Sequence, residues 1–249
     1  MRVMGIGRPV FAASMMLAGT LSIVLHDFTL VFGQVPRTIA GHDALAMVSG
    51  AILLLGGMAL LAPRSARIAA FALTIVLLLF VLLLRAPAAV AQPLVEASWY
   101  GMGETLALAA GAWTLFSIVR GEPLAKLGSV RAGQIVFALS LVPLGLAHFF
   151  YVGQTAPLIP SWLPFHVPLA YATGAAHIAA GLGILLGILP RLAAALEAVM
   201  VSLFTLLIWV PSVIAAPKPD AWTELAVSAA VSGAAWTVAE SFRAGRARR

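Results

Sequence analysis

Between Arg67 and Arg85 the chain reads Ile-Ala-Ala-Phe-Ala-Leu-Thr-Ile-Val-Leu-Leu-Leu-Phe-Val-Leu-Leu-Leu (residues 68–84), an apolar run without a charge. A strand of a membrane β-barrel alternates apolar and polar side chains over about ten residues. The stretch Leu77 to Leu84 does not alternate at all. A helix needs about 20 mostly apolar residues to cross the hydrocarbon core of a bilayer, and this segment with its flanks supplies them. The reading is a membrane-spanning helix.

Working outward, eight such segments occur, at about 10–33, 43–62, 66–85, 99–119, 132–153, 167–189, 191–214 and 222–242. Short breaks rich in Pro, Gly or charge separate them, such as Pro63-Arg64-Ser65 and Ala216-Pro217-Lys218-Pro219-Asp220. The composition agrees: 62% of the 249 residues are hydrophobic and 10% charged, and the mean hydropathy is +1.04. An average soluble domain carries about 25% charge, so a soluble enzyme, a disordered regulator and a collagen-like fibre are excluded. The expected class is all-α, a polytopic membrane protein of eight transmembrane helices. Cysteine is absent, which removes disulfides, thiolate metal sites and Cys-ligated iron–sulfur clusters.

The pI of 10.8 is a topology code rather than a sign of nucleic acid, since the basic residues lie between apolar blocks and form no patch. With the N-terminus inside, twelve Lys and Arg fall in inner segments, and Arg37, Arg85 and Lys218 in outer ones. That asymmetry predicts a multi-pass protein of the cell membrane with both termini cytoplasmic. Arg2 and Arg8 ahead of an apolar stretch imitate a secretory signal. The stretch has a counterpart deep in the chain, so it is read as a retained first helix.

That counterpart belongs to an internal repeat. His26-Asp27-Phe28 answers His148-Phe149-Phe150; His42 answers His166, Ser49-Gly50-Ala51 answers Thr173-Gly174-Ala175, and Arg67-Ile68-Ala69-Ala70 answers Arg191-Leu192-Ala193-Ala194. Trp99 and Trp113-Thr114 answer Trp222 and Trp236-Thr237. Four helices per unit make the copies parallel. The expected organisation is a first repeat over 1–120, a cytoplasmic connection over 121–131, and a second repeat over 132–249 with a basic tail. The units form two repeated four-helix bundles or one fused body.

The second half runs Gly145-Leu146-Ala147-His148-Phe149-Phe150, then Ile159-Pro160-Ser161-Trp162-Leu163-Pro164, a Gly-rich helix from Thr173 to Gly183, and Pro190-Arg191-Leu192-Ala193-Ala194. This order resembles the DoxX-like family of four-helix membrane proteins, here as a tandem duplication. The resemblance covers about 100 residues of the second half, and the first half through the repeat; the first half has Gln34-Val35-Pro36-Arg37 in place of the Leu-Pro loop. It implies a membrane subunit associated with redox chemistry, since named members include a subunit of a quinone-reducing thiosulfate oxidoreductase. A redox partner protein is implied with it, alongside membrane lipids and without nucleic acid.

Ionisable side chains inside a span are costly and mark candidate sites. Here they are His26, Asp27, Glu104, His148, His177, Glu197 and Glu224, with His42 and His166 at the outer boundary. His26, His148, Glu104 and Glu224 all fall in the outer part of the membrane, so each half offers a His from its first helix and a Glu from its fourth. Three readings stay open for the histidines. They satisfy buried partners; or they serve quinone or proton chemistry, with Phe149, Phe150, Tyr151 and Trp162 beside His148; or His26 and His148 ligate a haem. Quinone is the cofactor the set admits first and haem the last. No metal-spaced motif such as His-Glu-x-x-His occurs. Glu197 is expected to reach inner-face arginines, and Trp99, Tyr100 and Trp222 to anchor the interface. The function expected is a redox-associated membrane subunit interacting with quinone; the alternatives are a non-catalytic scaffold or lipid or small-molecule binder, then a transporter.

Overall fold

The computed structural model describes residues 5–31, 35–119 and 128–246, all helix and connecting turns. The hydrophilic connection from Arg120 to Lys126, the pair Gly33-Gln34 and the last three residues lie outside the described residues.

Eight long helices are described, each apolar enough to cross a membrane. They are α1 (Gly7–Leu25), α2 (His42–Leu61), α3 (Ala66–Ala91), α4 (Glu96–Val119), α5 (Gly128–Phe150), α6 (His166–Leu186), α7 (Pro190–Ala215) and α8 (Pro219–Arg246). The chain is an integral, multi-pass membrane protein. Two spans differ from their expected limits. Helix α1 stops at Leu25 instead of continuing to 33, because His26 turns left-handed (φ 52°) and the amide of Asp27 bonds back to the carbonyl of Ser22 at 3.3 Å. Helix α3 continues past Arg85 to Ala91, because Ala86-Pro87-Ala88-Ala89-Val90-Ala91 is itself apolar.

Which helices lie at the centre follows from side-chain size. Helices α4 and α8 have the lowest hydropathies, 1.4 and 1.2, yet 67% of each is buried, against 22–50% for the others. Their faces are lined with small residues such as Ala107, Gly111, Ala230 and Ala234. In lipid there is no hydrophobic drive between helices, so close packing of small residues selects the partners. At Gly111 an added Cβ would stand 2.5 Å from the Cβ of Ala234, so this crossing admits no side chain there. The most apolar helix, α3 at 2.8, turns Ile68, Leu79, Leu82 and Leu83 outward to the bilayer.

The helices form one body, and its plan is a figure of eight. Successive helices touch all the way round from α1 to α8 and back to α1, and α4 and α8 meet across the middle. In the first lobe α1, α2 and α3 close on the α4–α8 pair; in the second, α5, α6 and α7 do the same. Helix α1 therefore packs between α2 and α8, and α5 between α4 and α6, so that each of these helices touches the fourth helix of the other half. Of the two expected organisations, this is the fused body and not two self-contained bundles.

The packing recurs in detail. A Cβ at Gly50 would meet the carbonyl oxygen of Gly19 at 2.8 Å and the Cβ of Ser22 at 2.9 Å. One at Gly174 would meet the carbonyl oxygen of Gly145 at 2.8 Å and the Cβ of His148 at 2.7 Å. Phe11 and Phe137 are both fully buried, one on each first helix. Arg8 donates to the carbonyl of Leu60 at the end of α2, and Arg131 to those of Ile184 and Leu185 at the end of α6. Both place positive charge where the helix dipole is negative. Helices α3 and α7 each widen into a π-turn, Val81–Arg85 and Thr205–Trp209. Pro87 and Pro211 follow; each lacks an amide hydrogen and crowds the preceding turn, which a wider turn relieves.

Candidate functional site

The two lobes differ inside. The first is filled. After α1 the chain folds back as a 3₁₀ turn, Thr29–Val31, so that Phe28, Leu30 and Val31 plug the end of the lobe away from the chain termini and join the buried cluster of Leu53, Leu73, Leu77 and Phe80. The plug is tied to α1 at Ser22: its hydroxyl donates to Thr29 Oγ1 at 3.0 Å and its oxygen accepts the Thr29 amide at 3.1 Å.

The second lobe encloses a cavity of about 300 Å³. Five helices contribute: Tyr100 and Glu104 from α4, His148 from α5, Thr173 and His177 from α6, Phe204 and Trp209 from α7, Glu224 and Ser228 from α8. Its end away from the chain termini is bounded by Tyr151, Thr155, Leu158 and Ile159 of the α5–α6 connection. That connection moves away from the helix axis through two short turns, Val152–Thr155 and Ala156–Leu158, so nothing folds back to fill the space. At about 300 Å³ the cavity lies at the lower end of ligand pockets; it takes a ring-sized group.

His148 and His177 pack against each other with ring centroids 5.3 Å apart and planes tilted by 49°, and both lie against Phe204. His148 Nδ1 lies 3.1 Å from the hydroxyl of Thr173. Behind His177, away from the cavity, Glu197 accepts its Nδ1–H at 2.8 Å, with both side chains buried. This corrects the expectation that Glu197 reaches inner-face arginines: a carboxylate buried on α7 is matched by the one imidazole that faces it on α6. On the far wall Tyr100 donates its hydroxyl hydrogen to Glu104 Oε1 at 2.9 Å.

The other face of the α4–α8 seam carries a second recess, of about 430 Å³, where Arg85 joins Tyr100, Glu104, Asp220 and Glu224. From Ala66 to Arg85 is about 28 Å along the helix, so Arg85 is part of the span rather than of an outer loop. It points at α4, where Gly101 makes room: an added Cβ would stand 2.6 Å from its guanidinium. Its Nε donates to Thr105 Oγ1 at 3.4 Å.

Of the candidates, the structure brings His148, His177, Glu104 and Glu224 together. It leaves four out. His26 is half exposed at the end of α1, 3.7 Å from Asp43. His42 is buried in a separate cluster at the start of α2 in the first lobe. There Asp27 accepts from the guanidinium of Arg37 at 3.0 Å and the amide of Phe28 at 2.7 Å, with His42 Nε2 3.6 Å away. His166 is the half-buried first residue of α6 and Trp162 is exposed in the preceding loop; neither lines the cavity.

The expected equivalence of His26 and His148 also changes. The glycine crossings put Ser22, not His26, where the second lobe has His148. His26 sits four residues farther along, past the end of its helix, so the two histidines do not face each other as haem ligation requires. Among the described residues no three His, Asp or Glu side chains converge as a metal site requires.

Tyr100, Trp209 and Thr173 are the site residues that the sequence pattern did not single out. Tyr100 is four residues from Glu104, hence on the same helical face, which was the available signal. Against protein-family models, curated proteins and solved structures alike, the chain finds no match.

Proposed function

We propose that this membrane protein binds the ring of a quinone-type molecule in the second lobe and serves as a redox-associated membrane subunit of DoxX-like kind. The observation that carries the reading is the convergence of two imidazoles, two carboxyls and a phenol with Phe204 and Trp209 around one ring-sized cavity. A site for an apolar ring with polar substituents needs that combination: a mostly apolar wall and a few oriented polar groups. The tandem origin is supported by the recurring glycine crossings and by the paired π-turns. The cell-membrane orientation with both termini cytoplasmic rests on the distribution of basic residues.

The test is to purify the chain in mild detergent, extract its lipids for quinone, and record oxidised and reduced absorption spectra. The expected result is quinone near one per chain, lost in His148→Ala while the protein still folds. A folded, colourless, quinone-free protein overturns the redox reading. It leaves the second reading, a non-catalytic scaffold or small-molecule binder. That reading is favoured by the internal pairing of His177 with Glu197, which satisfies part of the polar set without any ligand.

A further inference from the structure

The hydrogens around the cavity can be assigned from their partners. A hydroxyl has one hydrogen to give, and a neutral imidazole has one N–H and one bare nitrogen. The Thr173 hydroxyl donates to the carbonyl of Ala170 at 2.9 Å. Its oxygen therefore accepts from His148, whose Nδ1 carries the hydrogen. His177 turns its Nδ1 to the Glu197 carboxyl at 2.8 Å. His148 keeps Nε2 bare.

The other hydroxyls are used in the same way. Tyr100 gives its hydrogen to Glu104, and Thr155 gives its own to the carbonyl of Tyr151 at 2.9 Å. Thr205 donates to the carbonyl of Val201, so Ser228, 2.8 Å away, donates to Thr205. What remains for an occupant is the bare Nε2 of His148 and the carboxyl oxygens of Glu104 and Glu224, with the indole N–H of Trp209 beside them.

We infer that the second-lobe cavity is a hydrogen-bond-acceptor site that selects a donor-bearing aromatic diol, the quinol form, over the corresponding dione. The inference rests on the quinone-type reading above and specifies its redox form. A dione presents lone pairs to lone pairs and leaves buried acceptors unpaired; a diol presents two O–H groups to them. Thr173 acts as a positioning residue: it holds the His148 imidazole with its hydrogen turned away from the ligand. No electron transfer is involved in this selection.

The test is equilibrium dialysis of the full chain in detergent, against a short-tailed benzoquinone and, anaerobically, its quinol. Unpaired acceptors predict that the quinol binds about tenfold tighter or more. Thr173→Val frees the His148 ring to turn over, so the ratio falls severalfold; Thr173→Ser, which keeps the hydroxyl, restores it. A merely structural role would weaken both forms alike and leave the ratio unchanged. Equal binding, or tighter binding of the dione, overturns the inference while the cavity reading stands. Binding of neither form overturns both.

Discussion

The first and second lobes share a frame and differ in what fills it. Where the second lobe has His177 and Glu197, the residues at the same steps of α2 and α3 are Leu53 and Leu73, both fully buried. Where it has His148, the first lobe has Ser22, tied down by Thr29. At the ends of the paired π-turns stand Trp209 in one lobe and Arg85 in the other. At those steps one lobe carries apolar side chains packed into a core and the other polar side chains that line a cavity, on the same helix crossings. A shared backbone plan therefore does not imply a shared site: a few side chains and the direction of one loop decide it.

The largest effect expected from breaking this contrast is at the buried pair. His177→Leu leaves the Glu197 carboxylate without its partner and costs about 3–5 kcal/mol, read as lost thermal stability in detergent. The double variant His177→Leu/Glu197→Leu copies the first lobe and is expected to regain most of that loss, because two leucines need no partner. If the double variant is as unstable as the single one, the two lobes differ by more than their filling.

Next come the glycine crossings. Gly50→Ala and Gly174→Ala each push a methyl against backbone, at about 1–3 kcal/mol for overpacking. The two are expected to cost similar stability, yet only Gly174→Ala, which presses on His148, weakens ligand binding. Equal loss of binding in both would mean that the lobes are not functionally distinct.

A smaller effect tests the plug. Thr29→Val removes the hydrogen bond that the Ser22 hydroxyl donates to Oγ1, while the amide bond of residue 29 to Ser22 stays, at a cost of about 0.5–1.5 kcal/mol; amide exchange should rise at Thr29, Leu30 and Val31 while the second lobe is unchanged. The smallest change is expected for His26→Gly: the residue is half exposed and left-handed, so stability stays within about 0.5 kcal/mol and quinone content is unaltered. Loss of quinone in this variant would move the site out of the second lobe.

Half of the candidate site was legible before any fold was known. Glu104, His148, His177 and Glu224 stood out because an ionisable group inside a span is expensive and rarely idle. The remaining members were hidden for specific reasons. Tyr100 lies next to Trp99 at a helix start, where aromatic residues ordinarily anchor to the interface. Arg85 reads as a loop residue until the apolar run after it is counted as helix. Glu197 has Arg191 near it along the chain, but its partner lies across a helix–helix contact. The pairing of His26 with His148 failed because the repeat register drifts where α1 ends early, and matching letters could not reveal that His26 had left the helix.

Hydropathy alone determined that the chain crosses the membrane, with which segments and as helices, since hydrocarbon tolerates no unpaired backbone. The small residues of α4 and α8 were also visible as a property of those two segments. Only the tertiary structure decided that these helices form the central seam, that each unit closes on the other's fourth helix, and that one lobe stays hollow. Those outcomes depend on which helix face meets which. In lipid, that choice rests on close packing between distant parts of the chain, and no local pattern encodes it.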